Sequence, residues 1–583
     1  MLDPRIYRTG LVVVVLAVIA FAFSLEGQQG GLGMNTTLPP DAFNGLNAYH
    51  DMLSLARQQG PAGFAGDYAI AAQVKRRLRS YNFTVQSQFF RAATPTGRHP
   101  LENVIGVRTG LQSGTIVVIA GRDAARNPAS ADQSGTGVLF DLARVLSGET
   151  LNRTIVLAST TASTGAAGTA QLIRALPGPI DAVLVLGDMA GTTVREPVVV
   201  PWSDGELVAP PMLRRTVGSA LSVQAGLSGG STSLPGQFLH LAFPFTVSPQ
   251  APFGSSGIPA VLLSASGERP PAGDAHVSES QINHFGSTVL QTISAFDSGP
   301  QVPAPSAYLL LGGNVIPAWA VRLLVLGLIA PVLGATIDGF ARARRRGHAV
   351  GQWIVWVLEG AVPFVLGLAL ILAVKAAGWL GMAPPSPAAA GAIPMHSGGI
   401  ALLAALAFVI VASLIFLRRV LTPGVEAAGN AGAAAALMLV LCALTLAVWV
   451  SNPFAAAMLV PALHLWLWVT APDIRMHRAV RLVLLVAGLA PLVIGLVYYM
   501  VTLGYGPVDF AWTLVLMVAG GHIGVLAALE WSVALGCALC ASAITAWTVR
   551  REQPLEEAPV TVRGPVTYAG PGSLGGTESA LRR

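Results

Sequence analysis

From about Ala307 onward the chain is dominated by apolar runs of roughly 20 residues, the length a helix needs to cross a hydrocarbon core of about 30 Å. Eight such runs can be read, near 317–340, 351–376, 399–417, 428–450, 453–472, 480–503, 509–528 and 531–548. Inside a bilayer the backbone has no water to bond, so each run has to close its own hydrogen bonds as a helix. The stretch 306–549 is therefore expected to be an all-α polytopic transmembrane domain of about eight helices. With 53% of its 583 residues hydrophobic and 11% charged, the whole chain fits that class.

The loops between the runs sort by charge. Arg342–Arg346, Arg418 with Arg419, and Arg475, Arg478 and Arg481 are basic, whereas 378–398, 451–453 and 504–508 hold no Lys or Arg. The two classes alternate, and basic loops stay cytoplasmic. Arg5 and Arg8 precede a further apolar run, Leu11–Phe23, with no small-x-small cleavage site after it. This predicts an uncleaved N-terminal anchor over 1–24, residues 25–305 outside the cytoplasm, and a multi-pass protein of the cell membrane. The last two runs leave one choice open. If both cross, Arg550 and Arg551 face outward; if one crosses, they stay inside. The tail 550–583, rich in Pro, Gly and Glu, reads as disordered.

Residues 25–305 have a soluble composition after a Gly/Pro/Thr-rich linker over 27–40. Three short apolar runs, Ile116–Ala120, Thr154–Ala158 and Ala182–Leu186, alternate with helix-like segments, the pattern of buried parallel strands joined by crossovers. A fourth, Ile258–Leu263, follows later. Asn44–Arg57, Phe64–Tyr81 and Glu279–Phe296 read as helices, and Phe83–Phe90 and Glu102–Val107 as strands. The fold class is α/β, a mostly parallel sheet flanked by helices, long enough to build its own core. Ligands in such sheets sit beyond the carboxyl ends of the strands, where Asp123, Asp132 and Asp188 fall.

Six motifs in order carry a resemblance. They are AGRDA (120–124), ADQSGTG (131–137), ASTGAAGT (162–169), LGDM (186–189), SPQAPFGSSGIP (248–259) and DAHVSES (274–280). Together they resemble the M28 family of zinc aminopeptidases, whose sequences read AHxDS, GAxDNxSG, EExGLxGS, NxDM, SDHxPFxxxGIP and a final His. One anchor, an outer domain and many spans also resemble the architecture of endoplasmic-reticulum metallopeptidases and of the GPI transamidase attachment subunit. The resemblance implies a pair of zinc ions bridged by one Asp, each with two further ligands, and a Glu that takes a proton from metal-bound water.

Carried over residue by residue, that site is incomplete. The first His falls on Gly121, the general base on Ala162, and its neighbouring ligand Glu on Ser163. The Asp and His of SDHxPF become Pro249 and Gln250. Asp132, Asp188 and His276 persist as remnant metal positions, and Asp123 is a further one. His240, Glu268, Asp274 and His284 are nearby alternatives that lack the motif context. An all-carboxylate remnant would suit Ca²⁺ or Mg²⁺ better than Zn²⁺, and capping of local backbone is the competing use of these Asp residues.

The expected function is thus a degenerate, non-catalytic M28-like protein, a pseudoenzyme with no cofactor. Its outer domain would bind a peptide, a protein or a lipid-linked group, and its spans a membrane-protein partner. Two alternatives stay open: an active zinc aminopeptidase with a rearranged site, and a transporter with an appended domain. For the latter, Glu359 is the intramembrane residue to watch, ahead of Asp338, His464 and His522. The net charge of +6 is accounted for by topology, so no nucleic acid is expected. Cys442, Cys537 and Cys540 all lie in apolar runs and read as small packing residues, and the N-x-[ST] triplets at Asn35, Asn82 and Asn152 carry no weight in an Ala/Gly/Arg-rich chain of bacterial character.

Overall fold

The computed structural model describes residues 4–24, 26–27, 42–124, 129–312, 314–420, 431–471 and 476–551. The 27–40 linker (apart from Gly27), Asn35, Arg475 and the tail beyond Arg551 lie outside the described residues, as do the side chains of Arg5, Arg8, Arg418, Arg419, Arg550 and Arg551.

Ten strands follow in chain order: β1 (Glu26–Gly27), β2 (Thr84–Thr94), β3 (Gly97–Arg108), β4 (Thr115–Gly121), β5 (Thr154–Thr160), β6 (Ile180–Leu186), β7 (Val199–Val200), β8 (Ala260–Leu263), β9 (Tyr308–Leu311) and β10 (Asn314–Pro317). Seven of them form one mixed sheet in the order β2-β3-β5-β4-β6-β8-β7. The centre, β5-β4-β6-β8, is parallel, and antiparallel pairs close both edges. The mostly parallel α/β sheet expected from the four apolar runs is present, and β8 is the run entered through Gly257-Ile258-Pro259.

Alternation along the central strands divides the interior in two, because successive side chains point to opposite faces. Ile116, Val118, Ile155, Leu157, Ala182 and Leu184 turn to one face, where helices Gly45–Ala56, Ala65–Ser80, Ser134–Ser147, Pro211–Ala225 and Glu279–Ser298 cover them. Val117, Ile119, Val156, Ala158, Val183 and Val185 turn to the other. The core on that side continues through Leu239 and Leu241 of helix Leu234–Ala242 into the apolar helices of the second half. The α/β domain is thus seated on the helical region through one uninterrupted apolar core.

Among the described residues six helices are long and apolar enough to cross a membrane: Ala318–Arg345, Val350–Ala376, Ser397–Leu417, Gly432–Ser451, Arg478–Leu503 and Val525–Ala546. Three apolar helices are shorter: Thr9–Phe23, Pro453–Val469 and Pro507–Gly520. Of the eight runs read from the sequence, 453–472 and 509–528 are the two that appear short. Gly521, in the left-handed region at φ 89°, ends the second after 14 residues. Its two ends meet the same side of the molecule. Near its start, the Tyr505 hydroxyl donates to the Ala388 carbonyl; past its end, the His522 ring bonds the Pro244 carbonyl at 3.0 Å.

The N-terminal helix Pro4–Phe23 runs back along Ala318–Arg345, with β1 pairing to β10 where the two meet the α/β domain. Gly10 and Gly327 let them close in: a Cβ on Gly327 would stand 2.6 Å from that of Ala17. Tyr7 hydrogen-bonds His464 Nδ1 at 2.9 Å, and His464 Nε2 bonds the Leu328 carbonyl at 2.9 Å, so this histidine ties three helices together. Asp338 pairs with Arg342 one turn on, and Glu359 is half-buried at the break between Val350–Glu359 and Val362–Ala376.

Candidate functional site: a cleft between the sheet and the helical region

A cleft of about 490 Å³ opens at the carboxyl ends of β4, β6 and β8. Asp123, Asp132 and Asp188 all line it, as the strand order predicts. Each carboxylate is already bonded within the protein.

The chain leaves β4 through Gly121 and Arg122. Arg122 is fully buried, ion-paired with Asp67 at 2.7 Å and donating to the Ser159 carbonyl at 2.9 Å. Its burial fixes the turn that presents Asp123. That carboxylate accepts from the Ser163 hydroxyl at 2.7 Å and from the Ser163 amide at 3.1 Å. Burial, aided by the negative charge of Asp67, pushes the Asp123 carboxyl up to about 6. Asp132, in a short turn before helix Ser134–Ser147, accepts from the Ala129 amide at 2.9 Å. Asp188 follows β6 and is buried. Its Oδ1 accepts from the amides of Ala190 (3.1 Å) and Gly191 (2.7 Å), and its Oδ2 from the Ser266 hydroxyl at 2.6 Å.

The other positions separate. His276 is exposed and is not part of the cleft wall; its backbone carbonyl accepts from the Thr192 amide at 3.0 Å. Ala162 is buried in a small apolar cluster with Ala62, Leu101 and Ala167, in the left-handed region at φ 53°, while its neighbour Ser163 faces the cleft. Pro249 lines the cleft; Gln250 is buried and donates to the Trp202 carbonyl at 3.3 Å. Asp274 is exposed and His284 half-buried in the closing helix.

Among the described residues, no three His, Cys, Asp or Glu side chains come together so as to hold a metal ion. The donor set present does not fit a zinc pair. The Asp123 and Asp188 oxygens are taken by Ser163, Ser266 and backbone amides, and the one histidine of the motif set lies outside the cleft.

Two features of the cleft carry no motif in the sequence. Glu268, in the Gly-rich turn after β8, lines it and is buried. Its Oε1 accepts from the Thr246 hydroxyl at 2.8 Å, and His240 Nε2 stands 4.0 Å from Oε2. Burial pushes this carboxyl up to about 7 and depresses His240 to about 3. His240 stacks flat on Trp202, with 4.6 Å between ring centres, so it is a neutral packing group rather than a counter-charge. The second feature is the far wall. It is supplied by the helical region: Ala389–Ala392 from the 377–396 loop, and Leu503–Gly504 at the end of Arg478–Leu503. Arg269 joins the two halves there, donating to the carbonyls of Val501 and Thr502, the free acceptors at a helix C-terminus.

No family model matches the chain, and no curated protein matches it significantly. Solved structures do. Glutaminyl cyclase from Porphyromonas gingivalis is 17% identical, with a TM-score of 0.35, over 43% of this chain and 98% of its own. The zinc aminopeptidase BSAP from Bacillus subtilis is 12% identical, with a TM-score of 0.35, over 44% and 95%. A leucine aminopeptidase precursor from Bacteroides thetaiotaomicron is 14% identical, with a TM-score of 0.35, over 44% and 99%.

Proposed function

We propose that this chain is a multi-pass membrane protein whose extracytoplasmic M28-like domain binds a ligand without hydrolysing it. The observation that carries the reading is the Ser163 latch. Where the motif needs a zinc-ligand Glu, a serine hydroxyl and amide occupy the Asp123 carboxylate by hydrogen bonding. Gly121, where the motif needs a histidine, has no room for one, since a Cβ there would lie 2.5 Å from Ser163 Oγ. With Ala162 in the base position, proton transfer loses a contribution of roughly 10²–10⁴ in rate.

The test uses the full chain in detergent: elemental analysis after dialysis, and turnover on a panel of aminoacyl amides. The expected result is no stoichiometric zinc and no chelator-sensitive turnover. A bound zinc pair with turnover would overturn the reading in favour of an active aminopeptidase.

For the topology, we take residues 25–305 as extracytoplasmic and the Arg342–Arg346 loop as cytoplasmic, supported by the alternation of basic and uncharged loops. Single-cysteine labelling with an impermeant reagent in a cysteine-free background should modify Ser130→Cys in intact cells and leave Gly347→Cys untouched. The reverse pattern would sink it.

A further inference from the structure

We propose that the cleft is a composite site, completed by the membrane region, for a membrane-resident amphiphile carrying a single ammonium group. This inference rests on the non-hydrolytic reading above and names its ligand. Two independent observations meet here.

The first is the wall facing the sheet. Ala389–Ala392 and Leu503–Gly504 belong to the helical region, and Leu503 is the last residue of a helix long and apolar enough to span a bilayer. The α/β domain alone therefore has an open half-site, and the closed one lies at the outer membrane boundary. At about 490 Å³ it has the size of a small-molecule cleft, not of an interface for a folded protein. Its membrane-side lining is apolar and built of small residues, which suits an aliphatic chain.

The second is a buried carboxyl group with no cationic partner. Glu268 is more than nine-tenths buried, lines the cleft and has one hydrogen-bond donor, Thr246, on Oε1. Among the described residues its Oε2 receives no hydrogen bond, and the neutral His240 at 4.0 Å supplies no charge. Among the described residues that line the cleft, the guanidinium is that of Arg269, which is committed to helix carbonyls. Asp123, Asp132 and Asp188 add three further carboxyl groups to the lining. A buried carboxyl without a cation is costly, and an ammonium ion entering the cleft would supply one.

The test uses the full chain in phosphatidylcholine nanodiscs, with radiolabelled dodecylammonium as probe. Partition into lipid is non-saturable and common to all samples; the site adds a saturable, one-to-one component. Glu268→Gln keeps the Thr246 hydrogen bond and should weaken that component by about tenfold or more, the loss of one charge-assisted contact. Ala390→Trp, which fills the cleft from the membrane side, should abolish it. Dodecanol should not compete, and hexylammonium should compete only weakly. Absence of a saturable component, equal competition by dodecanol, or unchanged binding in Glu268→Gln would overturn the proposal. So would tighter competition by a short lysine-containing peptide than by dodecylammonium, which would make the occupant a polypeptide. If the same preparation holds a zinc pair, the non-hydrolytic reading falls; if it holds none and binds no probe, only this inference falls.

Discussion

Ser163 and Gly121 compete for one small volume, and that competition explains why the lost ligands cannot be restored singly. An alanine at 121 would place its Cβ 2.5 Å from Ser163 Oγ, but 3.5 Å from Ser163 Cβ, an ordinary contact. Gly121→Ala should therefore cost about 1–3 kcal/mol by overpacking, and Ser163→Ala about 1–2 kcal/mol by stripping a donor from a buried carboxylate. In the double variant the clash is gone, so the two losses should sum to less than their parts. Melting temperatures of the four proteins give the cycle, and strict additivity would show that the two side chains do not meet. Gly121→His, Ala162→Glu and Ser163→Glu each alone should recover no zinc, since groups acting as one unit are strongly non-additive. Glu268 gives a pH signature. Its folded carboxyl titrates at about 7 against an ordinary 4.5, so the folded state holds the extra proton. The stability this contributes is complete below 4.5 and is lost as pH rises through 7, a fall of about 3 kcal/mol. His240, depressed to about 3, works the opposite way, losing its contribution as pH falls from 6.5 towards 3. Glu268→Gln should therefore gain stability over wild type as pH rises from 5 to 8. A difference between the two melting curves that does not vary with pH would refute the burial argument. Of these residues the sequence marked Gly121, Ala162 and Ser163 by their place in a motif. It offered Glu268 only as one of four nearby alternatives without motif context, because its burial depends on the distant Thr246 and His240.

Among the elements, the buried strands were legible because a parallel strand covered on both faces is apolar at every position. The β2–β3 hairpin was legible only in its inner half. The reading stopped at Phe90 and resumed at Glu102, whereas pairing continues out to Thr94 and Gly97. That outer arm is only partly covered and holds Arg, His, Gly and Pro among its residues, so it carries no apolar alternation. The far wall of the cleft was not legible at all. Ala389–Ala392 sits in a small-residue loop whose partner is chosen by docking, which leaves no period in the sequence. Hydrogen bonds add to the shared apolar core in docking the halves: the Asn452 amide donates to the Leu241 carbonyl at 2.8 Å, and the Tyr499 hydroxyl to the Phe243 carbonyl at 2.7 Å. The pairing of Pro4–Phe23 with Ala318–Arg345 depends instead on close backbone approach, as membrane helix pairs with small residues at the crossing do. Gly327→Leu would drive a side chain into Ala17 and should part the two helices. Disulfide trapping between cysteines placed at Val13 and Gly327 checks the geometry in one direction. Loss of trapping between Val14→Cys and Ala330→Cys when Gly327 is also changed to Leu checks it in the other. Undiminished trapping in that background would mean the glycine does not set the approach.

Contacts between the two halves of the molecule bear on the number of spans. One apolar core runs from the sheet into the helices, so every helix end that touches the α/β domain lies on the domain's side. Asn452, after Ala431–Ser451, touches Leu241; Val501 and Thr502, at the end of Arg478–Leu503, touch Arg269; Ser386, between the second and third long helices, touches Asp204 at 3.0 Å. These are the loops without Lys or Arg. Helix Pro507–Gly520 has both ends on this side, through Tyr505 to Ala388 and His522 to Pro244, so it turns back rather than crossing. Val525–Arg551 then starts on the domain's side, where Trp531 packs on Phe243 with 5.2 Å between ring centres. It passes Gly360 at mid-depth, where Cys540 lies against the break in the second long helix. Crossing once from there, it would bring Arg550 and Arg551 to the side proposed for Arg342–Arg346. We propose eight crossings, the six long helices with Pro4–Phe23 and Pro453–Val469 added, a count that would leave the basic loops of the sequence on one side, as the positive-inside rule requires. The chain should therefore have both termini in the cytoplasm. A protease-sensitive tag fused after Arg583 should survive protease added to intact cells and be cut once the membrane is permeabilised, while a cysteine at Val508 should label from outside. Digestion of the tag in intact cells would mean that Pro507–Gly520 crosses after all, giving nine spans and an outward tail.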